Sequence, residues 1–298
     1  MRFGINELKT VSLLGLLSGL LVLGGYYLVG NETGLYIGLA LAAFTSISSW
    51  YFSDQAALAA FQTRPLAQAD APELYERVAR LSDRAEIPMP KIFVIPTQSP
   101  NAFATGRDPD HATLAVSEGL LKLLSSEELD GVIAHELTHV KNRDTLTQAI
   151  AGTIAGAITY LGQILSFGLL FTPVGRGRQG NNPLGVLFLI VLAPFSASLI
   201  QLAISRTREY AADLGSAQLT QNPLALVSAL EKLEVASRKT PMQGNPTMAP
   251  LLIMNPLPPK GLQALFLTHP PTEERIRRLK ELATQLQSAP GAETPIAA

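Results

Sequence analysis

Four long stretches of this 298-residue chain carry no charge. Twenty-two uncharged residues lie between Lys9 and Glu32, 21 between Glu32 and Asp54, 31 between Asp144 and Arg176, and 27 between Arg178 and Arg206. A helix needs roughly 20 apolar residues to cross the hydrocarbon core of a bilayer. All four runs are long enough, and helices in a soluble core usually carry some charge at their ends or on one face. A polytopic membrane protein with four spans is expected, although Pro173, Pro183 and Pro194 interrupt the second pair. The first run does not read as a cleaved signal peptide. No small-residue cleavage site followed by polar chain ends it, and a second apolar run comes at once.

Charge outside the runs limits partners and sets orientation. The net charge of −1 offers no basic face for nucleic acid. The chain has no cysteine, so it has no disulfide and no thiolate metal site, which fits a domain facing the cytosol. Arg2, Lys9, Arg64, Lys141, Arg143, Arg206 and Arg208 flank the runs on the side of the N-terminus, whereas the other side holds only Arg176 and Arg178. The positive-inside rule puts the N-terminus and the polar segments in the cytoplasm.

The boundaries follow. Residues 1–54 form an N-terminal transmembrane hairpin and 145–205 a second one. Residues 55–144 and 206–285 make one split domain, and 286–298 read as a disordered tail. Within the domain, Asp70 can cap a helix that has Pro72 in its first turn and a stripe of Leu74, Val78, Leu81 and Ala85. "KIFVIPT" reads as a strand ending at Pro96, and "NAFATG" and "ATLAV" as two more joined by the polar turn "RDPDH". Ser125 stands three residues before Glu128, a capping-box spacing that opens "SSEELDGVIAHELTHVKNRD". That helix is expected to run straight on into the third apolar run. Helices also cover "SRTREYAADLGSAQL", "NPLALVSALEKLEVASRK" and "PTEERIRRLKELATQL". The Pro-rich stretch 239–261 is either a surface loop with its apolar patch, Leu251 to Met254, tucked against the domain, or a lid over a cleft.

The chemistry lies in "HELTH". His135 and His139 are four apart, so both imidazoles project from one helical face and can bind one metal ion. Glu136 can reach a water beside that ion without being a ligand, the arrangement that suits zinc hydrolysis of a peptide bond. Two of the chain's four histidines fall in this motif. A catalytic zinc needs a third protein ligand and an open fourth position. Spacing leaves His111, His269 or a carboxylate as candidates for the third. Glu209 and Asp213 also lie four apart on one helical face, where one can ligate and the other can orient an imidazole. "LDG" at 129–131 resembles a ligand motif of intramembrane metalloproteases, but it stands on the same helix as HELTH and cannot fold back onto it.

Together, "VIAHELTHVKNRD", "SRTREYAAD", "SPNAFATG" and "LFLTHPPTEERI" resemble, in order and spacing, the HtpX family of membrane-bound zinc metalloproteases, whose wider group includes the CAAX prenyl proteases. The resemblance covers most of residues 1–285. It implies that His135, His139 and Glu209 are the zinc ligands, one zinc per chain, and that Glu136 is the base. It makes Asn101, Ala102, Phe103 and Ala104 an edge strand that pairs with an extended substrate. His269 and Arg275 resemble a His and an Arg near the metal, with His269 donating to the developing oxyanion and Arg275 ordering Asp213 or a substrate carbonyl. His111 matches none of these motifs.

The fold expected is α+β and mostly helical, a gluzincin-like domain with a small sheet on four membrane helices. The function expected is endopeptidase action on membrane or misfolded proteins at the cytoplasmic face of the inner membrane, with relatives implying stress quality control. The alternative is a proteolytically silent adaptor that keeps zinc for stability.

Overall fold

A computed structural model of the chain describes residues 31–154 except 152, then 206–242, 248, 251–254 and 270–288, with scattered positions between 8 and 26. The described residues are mostly helical with one small mixed sheet. Helix α1, Glu32–Ala60, is followed by strand β1, Arg64–Pro65, helix α2, Pro72–Ala85, and strands β2, Lys91–Ile95, β3, Ala102–Thr105, and β4, Thr113–Ser117. Helices α3, Glu118–Leu123, α4, Ser126–Lys141, α5, Arg206–Thr220, α6, Pro223–Lys239, and α7, Thr272–Ser288, follow.

The 29 residues of α1 reach about 43 Å at 1.5 Å per residue, more than a bilayer core. It is the one described helix long and apolar enough to cross a membrane. Its outer face shows Tyr36, Phe44 and Ile47 at 65%, 69% and 66% exposure. Its inner face is a row of small residues, Gly34, Gly38 and Ala42. A Cβ at Gly38 would come within 2.6 Å of the Leu21 carbonyl, so the first apolar run packs there backbone to backbone. Ser18 and Ser46 share a hydrogen bond of 3.1 Å. Small residues at the seam and polar side chains bonding across it are how helices associate where apolar surface has no water to leave. The lower end of α1 runs past Asp54 and fuses with the domain. Ala57 and Phe61 are buried in one cluster with Ile95, Phe103, Leu251 and Leu252.

The sheet runs β1-β2-β4-β3, with β2 and β4 parallel and the other pairs antiparallel. Strand β3 is therefore an edge, and its outer side faces α4. Leu74, Val78 and Leu81 of α2 are buried against Val132, Ile133 and Leu137 of α4 in the main core. Asp70 is not the cap of α2: it ends a short 3-10 turn, and Ala71 stands at the cap position with no side-chain bond. The Ser125–Glu128 capping box is present in both directions. Helices α4 and α5 cross closely. Ser216 Oγ donates to the Gly131 carbonyl at 2.7 Å, and a Cβ on Gly215 would strike the Thr138 side chain.

Helix α4 does not run straight on. It ends at Lys141, Asn142 caps it, and Arg143 takes a left-handed φ of 57°. A new helix begins at 144. Thr147 on that helix bonds Thr10 at 2.9 Å, which joins it to the first apolar run.

Candidate active site

Successive turns of α4 place His135 and His139 side by side, with ring centroids 4.8 Å apart. Helix α5 crosses this face and brings Glu209 between them. Its two carboxylate oxygens lie 3.7 Å from His135 Nε2 and 3.6 Å from His139 Nε2. All three side chains are buried, at 1%, 5% and 1% exposure. One donor atom from each lies within 4.8 Å of the others. Four ligands at about 2.1 Å in a tetrahedron stand roughly 3.4 Å apart, so the spacing fits a zinc-sized ion. Charge agrees. Among the described residues of this pocket, Glu136, Asp144, Glu209 and Asp213 face two buried guanidinium groups, Arg208 and Arg275. The excess of two negative charges suits a divalent cation, since a buried charge needs its counter-charge.

Each imidazole also meets a carboxylate through its other nitrogen. His135 Nδ1 lies 3.0 Å from Asp213 Oδ1, and His139 Nδ1 lies 2.9 Å from Asp144 Oδ2. Such a bond fixes which nitrogen carries the proton and leaves Nε2 free to ligate. Burial pushes the His135 ring down, but in the metal-free site the bonds to Asp213 and Glu209 prevail and raise it to about 9, so a metal ion binding at Nε2 displaces a proton there. Asp213 is opposed by burial too, yet Arg275 and His135 bring it to about 2. Arg275, 1% exposed, holds Asp213 by a fork, Nε to Oδ2 at 2.9 Å and Nη2 to Oδ1 at 2.6 Å. Breaking a buried pair by removing one partner strands the other charge. Arg275→Ala is expected to cost about 3–5 kcal/mol of stability, read as a lowered unfolding midpoint of the detergent-solubilised chain. An unchanged midpoint would mean that the pair contributes nothing net.

Glu136, 2% exposed, sits between α4 and the sheet. Its Oε2 accepts from the Ala104 amide at 2.9 Å. Burial pushes its carboxyl up, and the Glu209 charge adds to that against the two histidines. The rest of the β3 edge is engaged at its start. The Ile253 amide donates to the Ala102 carbonyl at 3.0 Å. Asn101 clamps Met254 with both ends of its amide, Nδ2 to the carbonyl at 2.9 Å and the Met254 amide to Oδ1 at 3.3 Å. Leu251 to Met254 are all buried, so this part of the Pro-rich stretch is packed against the domain. Phe103 points into the core against Phe61, ring centroids 5.1 Å apart.

The structure thus brings together His135, Glu136, His139, Glu209, Asp213, Arg275 and the start of β3. His269 lies outside the described residues. His111 is exposed in a short 3-10 turn and pairs with Asp108 at 2.6 Å. Asp130 of "LDG" faces away, bonded to Arg77 and Arg80. Asp144 was not among the sequence candidates. The only hint was a carboxylate standing just before the third uncharged run.

The model of "Peptidase family M48" matches residues 68–283. The chain belongs to peptidase family M48. It is 54% identical over 282 residues to a "Protease HtpX homolog" of Nostoc punctiforme, spanning 94% of this chain and 98% of that one. A homolog of the same description from Acaryochloris marina is 52% identical over 286 residues, spanning 96% and 98%. One from Pyrococcus furiosus is 46% identical over 279 residues, spanning 93% and 96%. The crystal structure of S. mikatae Ste24p superposes with a TM-score of 0.51 at 20% identity, over 91% of this chain and 64% of that one. That likeness shows a shared fold. Membership in a peptidase family, with a buried His-His-Glu group suited to a metal, makes this protein a metalloprotease acting on protein substrates.

Proposed function

We propose that the chain is a membrane-anchored zinc endopeptidase that cuts membrane or misfolded proteins at the cytoplasmic membrane surface. One observation carries it: His135, His139 and Glu209 converge in a buried pocket of net negative charge, with Glu136 beside them. Zinc bound there supplies Lewis acidity toward the peptide carbonyl. Glu136 takes a proton from the attacking water and delivers it to the leaving amine. Burial raises its carboxyl, which makes the ionised group a stronger base toward the water. The Ala104 amide holds it in place. Asp213, held by Arg275, keeps the His135 ring oriented. His269 donates to the carbonyl oxygen as charge builds on it.

The substrate lies extended along the outer edge of β3, bound by main-chain pairing that reads little sequence. Residues 253–254 already bond the Asn101–Ala102 end. The Ala104 end, beside Glu136, is the stretch left for substrate, which pairs there through main-chain groups other than the Ala104 amide that bonds Glu136. Four spans anchor the domain, residues 1–54 and 145–205 each forming a hairpin. The apolar outer face of α1, its small-residue seam and the Thr10–Thr147 bond support this.

Casein hydrolysis by the purified chain in detergent separates enzyme from adaptor. Activity abolished by a chelator and restored by zinc is expected; an inert, zinc-loaded chain would make it the adaptor. Topology has its own test because the chain lacks cysteine. A single cysteine at Glu32 should react with an impermeant maleimide on intact cells, and one at Glu273 only after lysis. Labelling of the Glu273 site from outside would reverse the orientation.

A further inference from the structure

The break between α4 and the next helix has a chemical consequence. In an unbroken α-helix, the fifth residue after His139 would stand about 140° around the axis from it. The left-handed turn at Arg143 folds the chain so that Asp144, fully buried, comes back beneath the His139 ring. Its Oδ2 accepts from Nδ1 at 2.9 Å. Its Oδ1 lies 3.6 Å from Nη1 of Arg208, the residue just before Glu209. Thr145 holds the restart from the other side, donating to the Gly106 carbonyl at 2.9 Å, at the end of β3. One carboxylate therefore touches a histidine on α4 and an arginine on α5, at the points where the chain leaves toward residues 145–205 and returns from them.

We propose that Asp144 is a positioning residue for the metal site, and that the two-residue break at Asn142–Arg143 serves to bring it there. Asp144 holds His139 with Nε2 toward Glu209, as Asp213 holds His135. Through Arg208 it also sets the start of α5, and with it the height of Glu209 over the two rings. The two halves of the site, separated in sequence by residues 145–205, are linked by this buried group at the end where the chain leaves and returns, as Asp213 and His135 link them further along.

The inference rests on the metal reading, and zinc affinity of the full-length chain in detergent, measured by competition with a chromogenic chelator, tests the two separately. Wild-type chain that takes up no zinc would sink the metal reading itself. With wild-type binding zinc, Asp144→Ala is expected to bind roughly ten- to a hundredfold more weakly, the usual cost of losing the partner of a liganding imidazole. Asp144→Asn keeps an acceptor for Nδ1 and should fall between the two. Cobalt-loaded protein adds a readout that simple loss of packing does not move: its visible absorption should change in Asp144→Ala and return toward wild type in Asp144→Asn. Folded Ala and Asn variants with wild-type affinity and spectrum would overturn the proposal. So would an Asn variant that fails to fold, since the role would then be structural.

Discussion

Glu136→Gln is expected to retain zinc and to lose casein hydrolysis by about a thousandfold or more, within the upper range of general-base effects. The substitution is nearly isosteric, and its amide oxygen can still accept from the Ala104 N–H that now bonds Oε2. Helix α4 and the three metal donors are left in place. What disappears is the capacity to take a proton, because a carboxamide is no base near neutral pH. Initial rates together with zinc content per chain check both halves. A variant with a tenth of wild-type activity would show that another group acts as base.

Glu209→Ala is expected to strip the metal. Glu209 is the one described donor that α5 contributes, placed within 3.7 Å of both Nε2 atoms. Without it, two imidazoles on one helix remain, and the pocket's excess negative charge is halved. The loss of zinc affinity should far exceed the ten- to hundredfold expected for Asp213→Ala, which removes only the partner of His135. Zinc content after dialysis distinguishes the two. Normal zinc in Glu209→Ala would pass the third-ligand position to another group, with His269 first in line.

Much of this was legible in the sequence because the signals are local. The second charge-free run, seen as α1, a four-residue histidine spacing and a Ser125–Glu128 box need only neighbours along the chain; the third and fourth runs lie almost wholly outside the described residues. The stripe of α2 and the strands β2, β3 and β4 were readable for the same reason. What was missed depends on distant groups or on a single dihedral angle. Nothing in "HVKNRD" shows that Arg143 turns left-handed, so pattern alone continues the helix and leaves Asp144 as no more than the place where charge ends. Strand β1 is two residues long and exists by pairing Arg64 and Pro65 with Val94 and Phe93. Helical spacing offered Glu209 and Asp213 but not their partners. Those partners, His135 and His139 for Glu209 and His135 and Arg275 for Asp213, stand 62 or more residues away, and resemblance rather than periodicity paired them. The Ala104–Glu136 bond is also invisible to pattern, since a backbone amide carries no residue signature.

The central claim is that one buried zinc is held by two imidazoles of α4 and one carboxylate of α5. X-ray absorption at the zinc edge, on full-length protein carrying one zinc per chain, tests it most directly. The account predicts two histidine nitrogens and oxygen donors at about 2.0–2.2 Å, and loss of the bound zinc in Glu209→Ala. A spectrum requiring three imidazoles, or one unchanged in Glu209→Ala, would contradict it.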